Sequence, residues 1–588
     1  MDFLECWRLS FVAAILFFHQ FCSSEREAGG LNYRLMQSAT SAPAVSYYDY
    51  IIVGGGTAGC PLAATLSKNA SVLVLERGGS PYGNPNITDL ALFGAALSDL
   101  SPSSPSQRFI SEDGVINARA RVLGGGSCLN AGFYTRASTD YVREVGWDER
   151  LVNESYQWVE KVVAFEPPMR QWQSAVRDGL VEVGVLPYNG FTYDHIYGTK
   201  IGGTIFDQNG QRHTAADLLE YATPTGLTVL LHASVHKVLF TRRRTKSSNS
   251  QQETEKSSTR PRAHGVTFRD ASGRKHKAYL KNGPKNEIII SAGALGSPQL
   301  LMLSGVGPRD HLKAHNITVV LDQPFVGQGM SDNPMNAIFI PSPVPVEVSL
   351  IQVVGITHFG GYIEAASGEN FAGPRDYGML SPKIGQFSKL PPKQRTPKAI
   401  AEAIDYMNKL DDAAFRGGFI LEKIMGPISR GHLELRTRNP KDNPSVTFNY
   451  FKENQDIERC VKGIETIEKI IESKSFANYR YDFMSLPTLL NMSASAPVNL
   501  LPKHSNTSVS LEQFCRDTVM TIWHYHGGCQ VGQVVDQDYK VIGFDALRVI
   551  DGSTFNNSPG TNPQATVMML GRYMGVKMLS ERLATDRS

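Results

Sequence analysis

The glycine-rich stretch 48–59 constrains the fold of this chain more than any other, because an apolar run leads straight into a turn there. Gly54, Gly56 and Gly59 have the spacing G-x-G-x-x-G, and residues 60–67 continue as a helical pattern. In such a unit the first glycine permits the tight turn, the second lets a pyrophosphate approach the backbone, and the third lets helix and strand pack closely. Because the helix N-terminus also favours phosphate, the stretch predicts a Rossmann-like dinucleotide site.

Glu76 strengthens this prediction. It ends a second predicted strand, 71–75, and lies about twenty positions after Gly54, where dinucleotide-binding folds place an acid. An acidic side chain there suits the two ribose hydroxyls and repels a 2′-phosphate. This region alone does not distinguish an FAD site from an NAD site. A purely structural glycine turn is the alternative to a dinucleotide site.

Size and composition exclude several classes of protein. The chain has 588 residues, enough for several domains, and its 41% hydrophobic and 20% charged residues are ordinary for a globular protein. The net charge of +3 is too small to indicate a nucleic-acid partner. The cysteines show no paired C-x-x-C spacing, so we expect no metal site.

Residues 1–24 predict a secretory signal peptide. Arg8 precedes the apolar run 9–18, and the small residues Cys22 and Ser24 fit the positions before a cleavage site. The run is too short to span a bilayer, and no later segment reaches about eighteen uninterrupted apolar residues, so no transmembrane segment is expected. We therefore expect a secreted, extracellular protein. A short N-terminal anchor or a disordered start is the alternative.

Secretion makes the remaining cysteines and the glycosylation sequons informative. Cys60 and Cys128 fall in predicted cofactor loops, whereas Cys460 and Cys515 lie outside them. In an oxidising compartment a disulfide between Cys460 and Cys515 is expected, and two free buried thiols are the alternative. Sequons that predict a glycoprotein occur at Asn69, Asn86, Asn153, Asn316, Asn491, Asn506 and Asn556.

Two further stretches predict ligand-binding loops similar to the first glycine turn. In residues 118–134 three consecutive glycines precede Ser127, which predicts a second nest of backbone donors. Near the C-terminus a predicted strand, 547–550, runs into Asp551, and a long helix follows with Asn562 as its N-cap and Pro563 as its first residue. Together these loops predict a ligand larger than one nucleotide.

These stretches carry a resemblance to a known family. Residues 120–137 and 293–307 match, in order, the two signatures of the glucose–methanol–choline (GMC) flavoprotein oxidoreductases. The block 523–528 is typical of the plant branch that contains HOTHEAD and the mandelonitrile lyases. The resemblance implies FAD rather than NAD, and a cap domain over the reacting face of the flavin. Leu129 stands where covalently flavinylated members have His, which implies non-covalent FAD.

The fold class expected is α/β, with a Rossmann-like FAD-binding domain interleaved with an α+β substrate (cap) domain built on an antiparallel sheet. The FAD-binding parts are 46–145, 201–335 and 518–588. The cap parts are the helical segment 146–200 and 336–517. Among the smaller elements, we expect a disordered lead at 25–45, a strand pair at 229–240 and a solvated hairpin tip at 241–262.

The resemblance also implies a set of site residues. The catalytic residues that it implies are His524 and Asn562. The cofactor-binding residues are Gly54, Gly56, Thr57, Ala58, Gly59, Glu76, Arg77, Val122, Ser127, Asn130, Ala131, Gly132, Phe133, Val235, Trp523, His524, Asp551, Gly552, Asn562, Pro563 and Gln564. His526 is expected to point elsewhere, as a structural histidine.

The function implied is oxidation of a CH–OH group. His524 would take the hydroxyl proton while hydride leaves carbon for flavin N5, and Asn562 would orient the alcohol oxygen. The resemblance suggests long-chain ω-hydroxy fatty acids as substrates. A hydroxynitrile lyase with redox-idle FAD is the competing enzyme, but the lyases carry His in place of Asn562. A non-enzymatic binding scaffold is the third alternative. The electron acceptor and the oligomeric state stay open.

Overall fold

The computed structural model describes residues 35–241, 260–368, 396–398, 401–402, 417–495 and 498–585. The predicted signal peptide 1–24, residues 25–34 of the predicted lead and residues 242–259 of the predicted hairpin tip lie outside the described residues.

A parallel sheet forms the centre of the first domain. Three of its strands, Tyr50–Val53, Val72–Leu75 and Glu287–Ile290, are buried along their whole length. Parallel strands covered on both faces read as continuous apolar runs, which is why the sequence predicts them. The strands lie in the order Met36–Ser38, Leu227–Leu231, Val72–Leu75, Tyr50–Val53, Glu287–Ile290, Leu547–Val549.

Helices and a second sheet cover the two faces of this parallel sheet. Helices Gly59–Leu66, Glu149–Val163 and Gln564–Thr585 contribute to the apolar core on one face. Helix Gly293–Leu303 packs on the other face, together with a four-stranded sheet. That sheet has the strand order Ser234–Thr241, Arg262–Arg269, Lys275–Leu280, Val45–Tyr48. The predicted Rossmann-like fold is confirmed.

Two local predictions are wrong. Residues 35–45 are not disordered, because Met36–Ser38 pairs as the edge strand with Leu227–Leu231 and Ala39–Ser41 forms a 3-10 turn. A short polar edge strand has no periodicity that a sequence pattern could reveal. The predicted strand pair 229–240 is not a hairpin, because its two strands belong to different sheets. His232, with a φ of 56°, lies at the bend between them.

The second domain is a cap built on a larger sheet. Its strands lie in the order Met520–Thr521, Pro334–Pro341, Gly417–Ile424, Gly361–Ser367, Val353–Ile356, Gly198–Ile201, Tyr188–Phe191. All neighbours are antiparallel except the last two, which pair in parallel. The cap therefore takes strands from residues 188–201, nearly all of which lie in the predicted helical cap segment 146–200, and from residues 520–521, which were predicted as part of the FAD-binding domain. The predicted interleaving of the two domains is confirmed.

Alternation along these strands gives the cap sheet two different faces. Ile338, Ile363 and Ile420 pack in the core that contains helices Gln171–Glu182 and Asn454–Glu472. The neighbouring side chains on each strand point the other way and form a separate apolar cluster. Because side chains alternate with a period of two, one face is free to line a cavity.

The remaining elements connect and brace these layers. The predicted disulfide is confirmed, since Cys460 and Cys515 are joined with an S–S distance of 2.05 Å. None of the helices in the described ranges is long and apolar enough to cross a membrane. Further helices are Pro85–Thr88, Ala95–Ser98, Thr139–Glu144, Arg309–Ala314, Leu486–Ser495 and Leu511–Thr518. Further strands are Ser106–Ile110, Ile116–Ala120, Phe133–Tyr134, Gly203–Thr204, Val306–Gly307, Leu321–Asp322, Gln328–Met330, Gly431–Glu434 and Ser445–Thr447.

Candidate active site

A cavity of about 410 Å³ lies between the carboxyl ends of the parallel strands and the inner face of the cap sheet. Ligands of α/β folds bind at this edge of the sheet, and the volume is in the usual range for small-molecule sites. The predicted site residues that line it are Gly54, Gly56, Thr57, Ala58, Glu76, Arg77, Val122, Ser127, Asn130, Ala131, Gly132, Phe133, Val235, Trp523, His524, Asp551, Gly552, Asn562, Pro563 and Gln564. Gly59 is the predicted residue that does not line it.

The three glycines of the first turn have different surroundings. Gly54 has a φ of +105°, and a Cβ there would lie 2.3 Å from the carbonyl oxygen of Ser291. A Cβ on Gly59 would lie 2.1 Å from the carbonyl oxygen of Gly54, so Gly59 serves the packing of helix on strand. At Gly56 the nearest protein atoms would be 3.9 Å away, which leaves the space open to a ligand.

Glu76 and Arg77 are held in place behind this turn. The carboxylate of Glu76 accepts from the N–H of Gly55 at 3.1 Å and from the N–H of Gly78 at 2.7 Å. Burial raises the pKa of Glu76 although these hydrogen bonds lower it. Each oxygen keeps a further lone pair for a ribose hydroxyl. Arg77 donates to Gln107 Oε1 at 2.7 Å, which fixes its guanidinium beside the cavity.

The start of the C-terminal helix differs from the prediction by one residue. The helix is Gln564–Thr585, and the carbonyl of Pro563 accepts the N–H of Val567 at 2.9 Å. Asn562 is therefore not the N-cap, because Pro563 takes that position. The Oδ1 of Asn562 is buried and has no hydrogen-bond partner within the described residues, so it is available to a ligand.

A chain of side-chain amides ties this helix to the second glycine loop. Asn130 Nδ2 donates to Gln564 Oε1 at 2.8 Å, and Gln564 Nε2 donates to the carbonyl of Phe133 at 2.6 Å. Both amides are thereby oriented. The cavity wall that they form is continuous from the loop to the helix.

Asp551 anchors two loops rather than presenting a free carboxylate. It accepts from Ser297 Oγ at 2.5 Å and from the N–H groups of Gly293 and Ser553 at 2.8 Å each. Burial raises its pKa.

Trp523, by contrast, keeps an indole N–H without a partner among the described atoms.

His524 is held by two consecutive residues at the start of the cap sheet. Its backbone N–H donates to Asp332 Oδ1 at 2.8 Å, and its Nδ1 lies 3.1 Å from Asn333 Nδ2. His524 is half-buried and lines the cavity. The pKa of His524 is well below its usual range, chiefly because the ring is buried and to a lesser extent because Lys423 and His526 are nearby. The ring is therefore neutral at ordinary pH.

His526 does not line the cavity. Its Nδ1 lies 3.0 Å from the carbonyl oxygen of His524, and burial lowers its pKa to about 4. This placement matches the structural role expected from the sequence.

The cap contributes an apolar wall that the sequence patterns did not predict. Among the described residues, its single charged member is Lys423, which donates to Glu364 and lies 5.8 Å from the centre of the Tyr362 ring. Lys423 and Glu364 are on neighbouring strands, distant in sequence, and no local pattern marks them. The apolar members of the wall are Met335, Leu350, Ile351, Ala366, Leu421, Val498, Met520 and Ile522.

The residues present fit FAD. Helix Gly59–Leu66 begins at the cavity with no side chain capping its first N–H groups, which suits a diphosphate. Glu76 offers acceptors to a ribose, and Trp523 and Asn562 keep unpartnered polar atoms. Within the described ranges, no group of three or more His, Cys, Asp or Glu side chains has the geometry of a metal site.

Comparison with known proteins gives a consistent result. Two family models, both described as GMC oxidoreductase, match residues 48–335 and 427–571. Protein HOTHEAD of Arabidopsis thaliana is 56% identical over 92% of this chain and 89% of its own length. An (R)-mandelonitrile lyase-like protein of the same plant is 48% identical, with 94% and 93% covered.

Two further relatives extend the comparison. Sinalpyl alcohol oxidase Nec3 of Nesocodon mauritianus is 42% identical over 92% of this chain and 90% of its own length. The crystal structure of a pyridoxine 4-oxidase from Mesorbium loti superposes with a TM-score of 0.68 at 21% identity, covering 90% of this chain and 98% of that one. At that identity the superposition supports the fold alone.

Proposed function

This chain belongs to the GMC oxidoreductase family and is an FAD-dependent alcohol oxidoreductase, and from that premise we propose that His524 and Asn562 bind and activate the alcohol. The observation that carries the proposal is their placement. Both side chains line one cavity, His524 neutral and Asn562 with an unpartnered Oδ1.

Each of the two side chains has a distinct task. Asn562 hydrogen-bonds the alcohol oxygen through its side-chain amide and so orients the reacting carbon. FAD, when bound, supplies the acceptor for the hydride that leaves this carbon. His524 takes the hydroxyl proton, because it is the neutral titratable side chain at this end of the cavity. Burial, and to a lesser extent the nearby Lys423 and His526, lower the pKa of His524 and keep the ring unprotonated before the reaction.

The apolar wall of the cap supports a substrate with a long hydrocarbon chain. Eight apolar side chains line that side, and the charge of Lys423 is already neutralised by Glu364. Burial of methylene groups against such a wall contributes about 0.8 kcal/mol per CH₂. We therefore propose ω-hydroxy fatty acids as the substrate class, with non-covalent FAD as the cofactor.

A chain-length series tests this proposal. Purified holoprotein is mixed anaerobically with ω-hydroxy fatty acids of increasing length, with short alcohols and with benzyl alcohol, and bleaching of the flavin is followed. We expect KM to fall with chain length. His524→Ala should slow bleaching by about 10²–10⁴-fold while retaining FAD, and His432→Ala is the matched control away from the cavity. Bleaching by none of the alcohols would refute the proposed oxidation.

Cyanohydrin cleavage is the second candidate, because an (R)-mandelonitrile lyase of Prunus serotina is 40% identical over 93% of this chain. A departing cyanide benefits from nearby positive charge. Here Asn562 has no formal charge, and Lys423 is paired with Glu364. Release of cyanide from mandelonitrile without bleaching by any alcohol would reverse our choice.

We also propose that the protein is secreted and glycosylated. The disulfide Cys460–Cys515 supports this, since disulfides persist in oxidising compartments. N-terminal sequencing of protein recovered outside plant cells should find residues 1–24 removed. Recovery of an intact N-terminus in the cell interior would contradict the proposal.

A further inference from the structure

His524 is clamped by the dipeptide Asp332-Asn333, which no sequence motif singles out. Asp332 holds the backbone of His524, and its other oxygen accepts from the hydroxyls of Tyr450 and Thr521 at 2.6 Å each. Asn333 holds the ring itself, with 3.1 Å between its Nδ2 and Nδ1 of His524. Asp332 therefore fixes the position of the His524 backbone, and Asn333 contacts the imidazole ring that gains and loses the proton.

The partners of Asn333 determine which way its amide faces. Its Oδ1 accepts the N–H of Gly426 at 3.2 Å, while its Nδ2 faces the carbonyl oxygen of Thr561 at 3.4 Å and Ser558 Oγ at 3.3 Å. A flipped amide would set NH₂ against the N–H of Gly426 and oxygen against a carbonyl oxygen. Nδ2 is therefore the atom beside His524, and it is a donor with no acceptor capacity.

This orientation assigns the proton of the neutral ring. A nitrogen that accepts from Asn333 carries no hydrogen, so the proton of neutral His524 is on Nε2. Nε2 makes no hydrogen bond within the described part of the chain, and His524 lines the cavity. We propose that Asn333 is a positioning residue that keeps the proton of His524 on Nε2, so that His524 first meets the substrate oxygen as a hydrogen-bond donor.

The consequence for proton uptake rests on the proposed function. His524 takes up a proton at Nε2 only when its own proton is on Nδ1, and there it would face the NH₂ of Asn333. A hydrogen bond of ordinary strength biases the two tautomers by about tenfold. Asn333 therefore limits the fraction of enzyme in which His524 is ready to act as a base.

Within the part of the chain that the structure describes, no other group that faces His524 reverses this bias. Asp332 accepts from the backbone N–H and is shared with two hydroxyls, so it does not accept from Nδ1. Lys423 and His526 both disfavour the imidazolium. Asn333 is thus the neighbour whose hydrogen bonding distinguishes the two ring nitrogens.

Nitrogen NMR of the holoprotein labelled with [¹⁵N]histidine tests the assignment directly, because protonated and unprotonated ring nitrogens differ in chemical shift. The His524 signals are assigned by their loss in His524→Gln. We expect Nε2 protonated and Nδ1 unprotonated in the wild type at neutral pH. A proton on Nδ1 would overturn the proposal, and this measurement needs neither a variant of Asn333 nor a substrate.

Two variants test the cause. Asn333→Leu removes the donor, and Asn333→Asp replaces it with an acceptor for an Nδ1 proton. We expect Nδ1 protonation to appear in the first and to dominate in the second, with Asn439→Asp on the surface as the charge-matched control. Unchanged ring signals in both Asn333 variants would overturn the role of Asn333.

The pH profile of flavin bleaching adds a kinetic readout. Asn333→Asp should move the acid limb of the bleaching rate to higher pH and raise the bleaching rate above that limb. A merely structural role would lower the rate without moving the limb, and that result would count against the proposal. If no alcohol bleaches the flavin, the proposed function fails, and the NMR result still decides the role of Asn333.

Discussion

Removal of the disulfide Cys460–Cys515 should destabilise the cap by an amount that the chain length predicts. The bond joins helices Asn454–Glu472 and Leu511–Thr518 across a sequence separation of 55 residues. In the chain-entropy account, closing such a loop stabilises the folded state by about 4 kcal/mol at room temperature. Both cysteines are fully buried, so their replacement also removes packed sulfur atoms. The double variant Cys460→Ala/Cys515→Ala should therefore lose slightly more than 4 kcal/mol, roughly the entropic term plus the packing loss.

Denaturant unfolding followed by far-UV circular dichroism measures this loss, with release of FAD as a second signal. Cys529→Ala is the matched control, because Cys529 is also fully buried but is a free thiol. It reports the cost of one lost sulfur without any change of loop closure. If the double variant loses no more than twice the free energy of unfolding lost by Cys529→Ala, the constraint on the unfolded chain contributes nothing and the reasoning is wrong.

Three further outcomes are expected. Asn562→Ala should slow anaerobic flavin bleaching by about 5–150-fold at unchanged FAD content, since one hydrogen bond to the substrate is lost; an unchanged rate would remove Asn562 from the reaction. Gly54→Ala should yield protein without FAD, because its Cβ would lie 2.3 Å from the carbonyl oxygen of Ser291, and normal flavin content would contradict this. Burial holds the pKa of Glu422 well above its ordinary value, so the folded protein keeps a proton that the unfolded chain releases above about pH 4.5. Glu422→Gln should therefore raise the free energy of unfolding near about pH 8 but not near about pH 4. Glu434→Gln on the surface should leave the free energy of unfolding unchanged at both pH values. Equal effects of Glu422→Gln at the two pH values would exclude a raised pKa of Glu422.

The cofactor half of the site was predictable because its signals are local. The turn from Gly54 to Gly59 and the second loop at Ser127 each combine a strand, glycines and a helix within about twenty residues. Backbone geometry in such units follows from the residues themselves, so positions such as Glu76 could be placed from the amino-acid sequence alone. His524 was predicted differently, through the resemblance of the block 523–528 to the GMC family.

The cap half was not predictable in the same way. Lys423 and Glu364 meet because their strands are neighbours in the cap sheet, and that register depends on the packing of the whole domain. Asn333 was missed for the same reason, since its partners Gly426 and Thr561 come from distant parts of the chain. The edge strand Met36–Ser38 is a third case, because its pairing with Leu227–Leu231 leaves no trace in a short polar sequence.

The pairing of Lys423 with Glu364 also determines how a fatty substrate would lie. A free lysine in the apolar wall would attract the carboxylate of an ω-hydroxy fatty acid towards His524. Because Glu364 neutralises Lys423, no unpaired cation is left among the charged side chains that line the cap side of the cavity within the described residues. Burying a carboxylate there without a partner would cost several kcal/mol, roughly the effective penalty for one unpaired ion. For the proposed ω-hydroxy fatty acids, we therefore expect the carboxylate to stay in solvent and the chain to enter with its hydroxyl group first, towards His524 and Asn562.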